Sequence, residues 1–288
     1  MITAQDDIDW LTRSENRVRA LELLVERPYD RSKPLEAVNV SRIMFNRMLE
    51  ALDERGWIAQ TEDREYRATP LGRLVIEDVL ATFESASTSR KLRDIIQYIP
   101  AKEFDFSLRR LNKARITHPT KSEPIAPIQC EVQLFKSSAE RWRLLTITAN
   151  QLSTEQAEEV AQITSDCEAI YMPGMTATVR DNPEMSVDAY AYIQAGGAIY
   201  QYDGEEFPAR LSINDSVVGL ALSDDRRFVQ AYIESNDETV LSWAEETFER
   251  YKRESEPLSA EDFGAQFRIK YLYPRIEQRF TRVYGTVR

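Results

Sequence analysis

Apolar residues recur at helical spacing through the first quarter of the chain. Val18, Leu21, Leu24 and Val25 share one face of a helix that Ser14 can cap, running to about Arg27 before Pro28 ends it. Ser32 caps a second, short helix, in which Pro34 falls in the first turn where no N–H partner is lost. Leu35, Ala37 and Val38 give that helix its packing side. Asn39 then stands where a tight helix–helix turn needs a residue at positive φ, Val40 plugs the gap between the helices, and Ser41 caps a third helix to about Arg55. In it Phe45, Met48, Leu49 and Leu52 sit at i, i+3, i+4 and i+7, one buried stripe. Cap, short helix, left-handed residue, apolar plug and cap, in that order, predict a helix-turn-helix. After Gly56 the period changes: Trp57–Thr61 reads as a strand, Glu62-Asp63-Arg64 as a turn and Glu65–Thr69 as the returning strand, with Pro70 opening the next helix.

The outward side of the third helix is chemically unusual. Ile43, Asn46, Arg47 and Glu50 lie opposite the apolar stripe, with Arg42 and Met44 on the flanks. An ordinary solvated face carries Lys, Glu and Gln. An isoleucine between an amide and an arginine suits a major groove, where it can meet a thymine methyl while Asn46 pairs with adenine and Arg47 forks onto guanine or grips phosphate. The plain alternative is a surface face with Ile43 touching the second helix. Arg64 and Arg67 in the hairpin are phosphate contacts, restrained by Glu62, Asp63 and Glu65. The candidate DNA contacts are therefore Ser32, Ser41, Arg42, Ile43, Met44, Asn46, Arg47, Arg64 and Arg67. The runs "SRIMFNRMLEALDERGWI" and "YRATPLGRLV" resemble the winged helix-turn-helix of archaeal regulators, in which the third helix enters the major groove and the wing touches the backbone. Pro34 and the apolar pair Ile43-Met44 depart from that pattern and leave the preferred DNA sequence open.

Beyond Pro70 the helical pattern continues through Val75, Val79 and Phe83 to Ser85–Ser89 and resumes with Leu92, Ile95, Ile96 and Ile99, a stretch expected to join two subunits. Residues 101–130, with Pro119, Pro124 and Pro127, read as an irregular linker. Strands follow at Trp142–Ile147, Cys167–Met172, Ala198–Tyr202, Glu206–Ile213, Ser216–Leu222 and Arg227–Ile233. Helices follow at Ser153 to about Thr164, at Met185–Ala195 and from Asp237 to about Arg253. This order predicts an α/β domain with a mixed sheet, and residues 259–282 a helical tail. The stretches "AGGAIYQYDGEEFPARLSINDSVVGLAL" and "SWAEETFERYKRESEPL" resemble the middle domain of the methanogenesis-regulator (FilR-type) family, which implies a module that responds to a small molecule. The domain also resembles phospholipase-D-like sheets, whose chemistry needs paired His-x-Lys motifs. Any effector pocket is expected in the crevice beyond the carboxyl ends of the strands, near Thr148, Asn150 and Met172. The acidic loops at Asp203/Glu205/Glu206 and Asp224/Asp225 read as solvated turns.

Composition narrows the function classes. The single histidine, His118, and two distant cysteines, Cys130 and Cys167, cannot assemble a zinc site or a serine–histidine hydrolase, and no glycine-rich phosphate loop occurs. No cofactor and no metal are expected, and both cysteines read as small buried hydrophobes. No run of about 18 apolar residues occurs and the start has no basic or apolar leader, so a cytoplasmic protein without membrane contact is expected. Net charge is −11, but residues 27–73 hold nine basic against eight acidic side chains, so the acidity lies mainly outside the reading head. With 29 Arg to 8 Lys, the acidic balance points to a salt-adapted, haloarchaeal cytoplasm. The expected organisation is a winged helix-turn-helix at 8–75, a connecting or dimerisation helix at 76–100, an α/β sensor at 101–258 and a C-terminal helical tail at 259–288. The expected partners are double-stranded DNA, a second copy of the chain and a small-molecule effector. Two alternatives stay open: a winged helix that binds protein without reading DNA, and an enzyme on the α/β domain, for which no catalytic constellation exists.

Overall fold

A computed structural model of the chain describes residues 3–30, 38, 40–137, 140–148 and 166–264. It divides at Arg90 into two compact units. The caps at Ser32 and Ser153, the turn residue Asn39, Asn150 and the tail beyond Gly264 lie outside the described residues.

The first unit contains α1 (Ala4–Thr12), α2 (Glu15–Glu26), β1 (Tyr29–Asp30), α3 (Arg42–Glu54), β2 (Ile58–Gln60), β3 (Glu65–Ala68) and α4 (Pro70–Leu92), which runs past the division. Its strands form an antiparallel sheet in the order β1-β3-β2. The predicted stripes are the core: Leu21 and Leu24 of α2 meet Phe45, Leu49 and Leu52 of α3, with Val38, Trp57 and Ile58. Each fully buried leucine contributes about 1.5–3 kcal/mol. Helix α1, nine residues long, was missed in the sequence, although Ala4, Ile8 and Leu11 stand at helical spacing in it. It starts on a capping box between Thr3 and Asp6. It is held by Trp10, whose ring centre lies 4.5 Å from the Arg17 guanidinium and 4.3 Å from that of Arg55. Arg55 also pairs with Asp7 at 2.9 Å. Gly56 takes φ +68 after α3, a left-handed turn that glycine makes without strain. Gly72 lets the first turn of α4 approach the wing, since a Cβ there would stand 1.9 Å from the Trp57 carbonyl oxygen.

In the second unit the described residues form an eight-stranded mixed sheet in the order β11-β7-β6-β5-β8-β9-β10-β4. The strands are β4 (Arg115–Thr117), β5 (Arg141–Thr146), β6 (Asp166–Tyr171), β7 (Ala198–Gln201), β8 (Arg210–Asn214), β9 (Val218–Ser223), β10 (Val229–Ser235) and β11 (Glu256–Leu258). Strands β5, β6 and β7 are parallel and the other pairings antiparallel. Alternation separates the faces. Leu145, Ile170, Leu211, Leu220 and Ile233 pack beneath α8 (Glu238–Arg253) through Val240, Trp243 and Phe248. Trp142, Ala169 and Tyr171 pack on the other side with α6 (Met175–Asp181) and α7 (Pro183–Gln194). The helix α5 (Ala126–Lys136) lies on that same side, where Cys130 meets Ala221 and Tyr232. A final short helix, α9, spans Glu261–Gly264.

Two expectations need correction. Residues 101–130 are not an irregular linker: they contain a 3-10 turn at Leu108–Leu111, the edge strand β4 and the start of α5. Pro127 misled, because a proline in the first helical turn starts a helix as readily as it breaks one. The second correction concerns α4, which is unbroken through Ser85–Ser89 and ends at Leu92, with Ile96–Tyr98 a separate 3-10 turn. There Thr82, Ser85 and Thr88 return their hydroxyls to the carbonyl four residues back, which satisfies them inside a helix.

Candidate nucleic-acid interface

Ser41 caps α3 by accepting the Met44 N–H at 3.3 Å, as a helix start requires. With Phe45, Met48, Leu49 and Leu52 buried, the opposite side presents Arg42, Ile43, Met44 and Arg47 to solvent. Ile43 is 70 % and Met44 56 % exposed. Uncovered apolar side chains of this size cost solvation unless something covers them in use. Among the described residues Arg42 and Arg47 make no ion pair, so both guanidinium groups remain available. Asn46 is half-buried and therefore less open than the helical projection implies.

The hairpin between β2 and β3 exposes Arg64 and Arg67. Arg64 holds φ +61, and Gln60 donates to its carbonyl at 3.1 Å. Arg67 lines an open groove of about 540 Å³ together with Pro70, Arg73, Leu74 and Glu77. Arg73 was not among the residues expected from sequence. It lies three positions after Pro70, and that helical spacing next to the wing was the available signal.

The effector residues expected from sequence come out differently. Thr148 is half-buried, and its carbonyl accepts from the Thr146 hydroxyl at 2.7 Å and from Arg210 at 3.3 Å. Met172 is 1 % exposed and packs in the core beneath α8. Beside them lies a buried ion pair that the sequence did not signal: Arg210 Nε stands 2.7 Å from Glu131 Oε1, which also accepts from Ser212. On the other face Arg143 bridges Asp166 and Glu168, and Glu168 accepts from Lys252 and Tyr200. Hydrogen bonding to Arg143 holds the Asp166 carboxyl below the usual carboxylate range. Asp203 and Asp224 are turn residues, accepting from Gln201 and from the Arg226 and Phe228 amides. Both cysteines are buried and free. Among the described residues no His, Cys, Asp and Glu group could hold a metal, and no helix is long and apolar enough to cross a membrane.

Residues 5–91 match the family of the HVO_A0261 N-terminal domain, and residues 124–254 the middle domain of the methanogenesis regulatory protein FilR1. No curated protein matches the chain. Among solved structures, the archaeal chromatin protein TrmBL2, described as showing a novel mode of DNA binding, is 12 % identical over 85 % of this chain and 94 % of that one, with a TM-score of 0.38. The phospholipase D family member Nuc from Salmonella typhimurium is 8 % identical over 51 % and 98 %, with a TM-score of 0.40. NucT from Helicobacter pylori is 10 % identical over 51 % and 99 %, with a TM-score of 0.39. Likenesses this distant carry no chemistry to the present chain.

Proposed function

From a chain that joins an HVO_A0261 N-terminal domain to a FilR1 middle domain, we propose a transcriptional regulator that binds double-stranded DNA through its first unit. The carrying observation is the solvent face of α3, where Ile43 and Met44 stand exposed between the unpaired Arg42 and Arg47. A capped helix with one face fully packed and an apolar, cationic opposite face suits a major groove, with the arginines on guanine or phosphate and Ile43 on a thymine methyl. Arg64, Arg67 and Arg73 supply backbone contacts from the wing and the start of α4. The N-terminus of α3, capped by Ser41, faces a phosphate, and Ser32 is a further candidate for a phosphate contact. The protein works as a homodimer in a salt-adapted cytoplasm, and its α/β unit responds to a small molecule beyond the carboxyl ends of the parallel strands. The effector acts by binding one arrangement of the dimer better than another.

Selection of binding sites from random duplex DNA, at low and high salt, tests this reading. An enriched palindrome with half-sites about one helical turn apart is the expected result. No enrichment at either salt would leave α3 as a protein-docking surface, which its exposed Ile43-Met44 pair would also suit.

A further inference from the structure

Ile43 and Met44 are the second and third residues of α3 and stay 70 % and 56 % exposed. Among the described residues no other two large apolar side chains that follow one another in sequence are both exposed. The pair takes no part in holding the helix, because Phe45, Met48, Leu49 and Leu52 supply its core contacts from the opposite side. A single exposed apolar side chain needs no explanation, but a bare apolar pair rimmed by cations marks a surface that is covered in use.

The surroundings indicate what covers it. Arg42 precedes the pair and Arg47 follows it, both exposed and neither in an ion pair among the described residues. Arg64 and Arg67 stand exposed on the wing of the same unit. A partner for this face is therefore anionic at its rim and apolar between. Duplex DNA meets both demands: phosphates border the major groove, and the thymine C5-methyl is the apolar group on its floor. The spacing suits two bases, since neighbouring Cα atoms lie about 3.8 Å apart and successive nucleotides of one strand about 3.4 Å. Recognition helices touch base edges with their N-terminal residues, which is where the pair stands.

Charge contributes little by comparison. Residues 27–73 hold nine basic and eight acidic side chains, and Glu62 and Asp63 are exposed beside Arg64. A head this near neutral makes few phosphate contacts and releases few counterions, so more of its affinity has to come from the groove floor.

We propose that Ile43 and Met44 together read two consecutive thymines of one strand through their C5-methyl groups. The target class is then a half-site containing a thymine–thymine step, and discrimination at that step is apolar and insensitive to salt. This rests on reading the first unit as DNA-binding, and it commits that reading to a base step that arginine contacts alone do not require.

The test uses the full chain and the duplex enriched by site selection. Each thymine of a half-site is replaced in turn by deoxyuridine, which removes the methyl group and keeps every hydrogen-bonding edge. Replacement at two adjacent positions of one strand is expected to weaken binding about fourfold at each. The salt dependence should stay the same, because no phosphate contact is lost. Ile43→Ala with Met44→Ala, both at exposed positions and harmless to folding, should bind the natural and the uracil duplex alike. A half-site without adjacent thymines, a wild-type protein indifferent to uracil at every position, or a double variant that still loses affinity on replacement would each overturn the proposal and leave the DNA reading intact. No enriched duplex at either salt would remove the DNA reading, and this inference with it.

Discussion

The contact between Glu131 and Arg210 can be broken in a way that separates two accounts of what fastens α5 to the sheet. Glu131 is 2 % exposed and Arg210 5 %, and they meet at 2.7 Å. Among the described residues Glu131 is the one carboxylate paired with Arg210, so Glu131→Ala leaves that buried guanidinium just the Thr148 carbonyl at 3.3 Å. Uncompensated burial of that charge costs about 3–5 kcal/mol. The Ser212 hydroxyl loses its acceptor as well, worth about 1 kcal/mol. Replacing both partners, as Glu131→Leu with Arg210→Met, removes the desolvation cost together with the attraction and is expected to be neutral within about 1 kcal/mol or stabilising. Urea denaturation followed by circular dichroism and tryptophan fluorescence reads both variants, with the two units fitted as separate transitions. The single variant should lower the midpoint of the α/β transition by about 1.5–2 M, and the double variant should restore it. A single-variant cost below about 1 kcal/mol, or a double variant as unstable as the two singles combined, would show that apolar packing at Cys130 and Tyr232, and not the ion pair, holds the helix.

Other expectations follow from single contacts. Arg47→Ala should weaken binding to a selected DNA site by about 1–3 kcal/mol and relax one base position, read by competition with mismatched duplexes. Arg64→Gly relieves the positive φ, so thermal stability should hold or rise; affinity should fall alike for all sequences, with the salt dependence shallower by about one unit. Asp166, whose carboxyl is held low by Arg143, lends stability that is complete above the ordinary carboxylate range and lost as pH falls through its depressed value. The stability gap between wild type and Asp166→Asn should therefore close in acid melts. Burial raises the Cys167 thiol to about 11, so iodoacetamide at mildly alkaline pH should leave it unmodified until the protein is unfolded.

The first unit was largely legible because its signals are local. Caps and i, i+3, i+4 stripes are written within a dozen residues, and the buried set of α3 is the set its spacing specifies. Helix α1 was not, since it is only nine residues long, buries Leu11, and is anchored by a tryptophan between two arginines brought in from α2 and the end of α3. The strand order of the second unit was out of reach for a similar reason. Placing β8 antiparallel beside β5 depends on pairings some seventy residues apart, such as Leu145 with Leu211. Met172 shows the limit for sites: its position after a parallel strand suggested a crevice, but alternation turns its side chain into the core.

Around Gly72 the first unit is knotted at one point. The Thr69 hydroxyl donates to the Gly56 carbonyl at 2.6 Å and accepts the Gly72 amide at 3.1 Å, while the Thr69 amide donates to Trp57 at 2.9 Å. The exit of α3, the entry of β2 and the first turn of α4 thus share one joint, with no room for even a methyl group. Under the proposed function the outer face of α3 is a rigid type-block: it can be pressed onto DNA or lifted, but its letters cannot be reset. On that proposal, an effector would alter how often, or at what spacing, two such blocks are used together, while the half-site sequence itself stayed the same in every state.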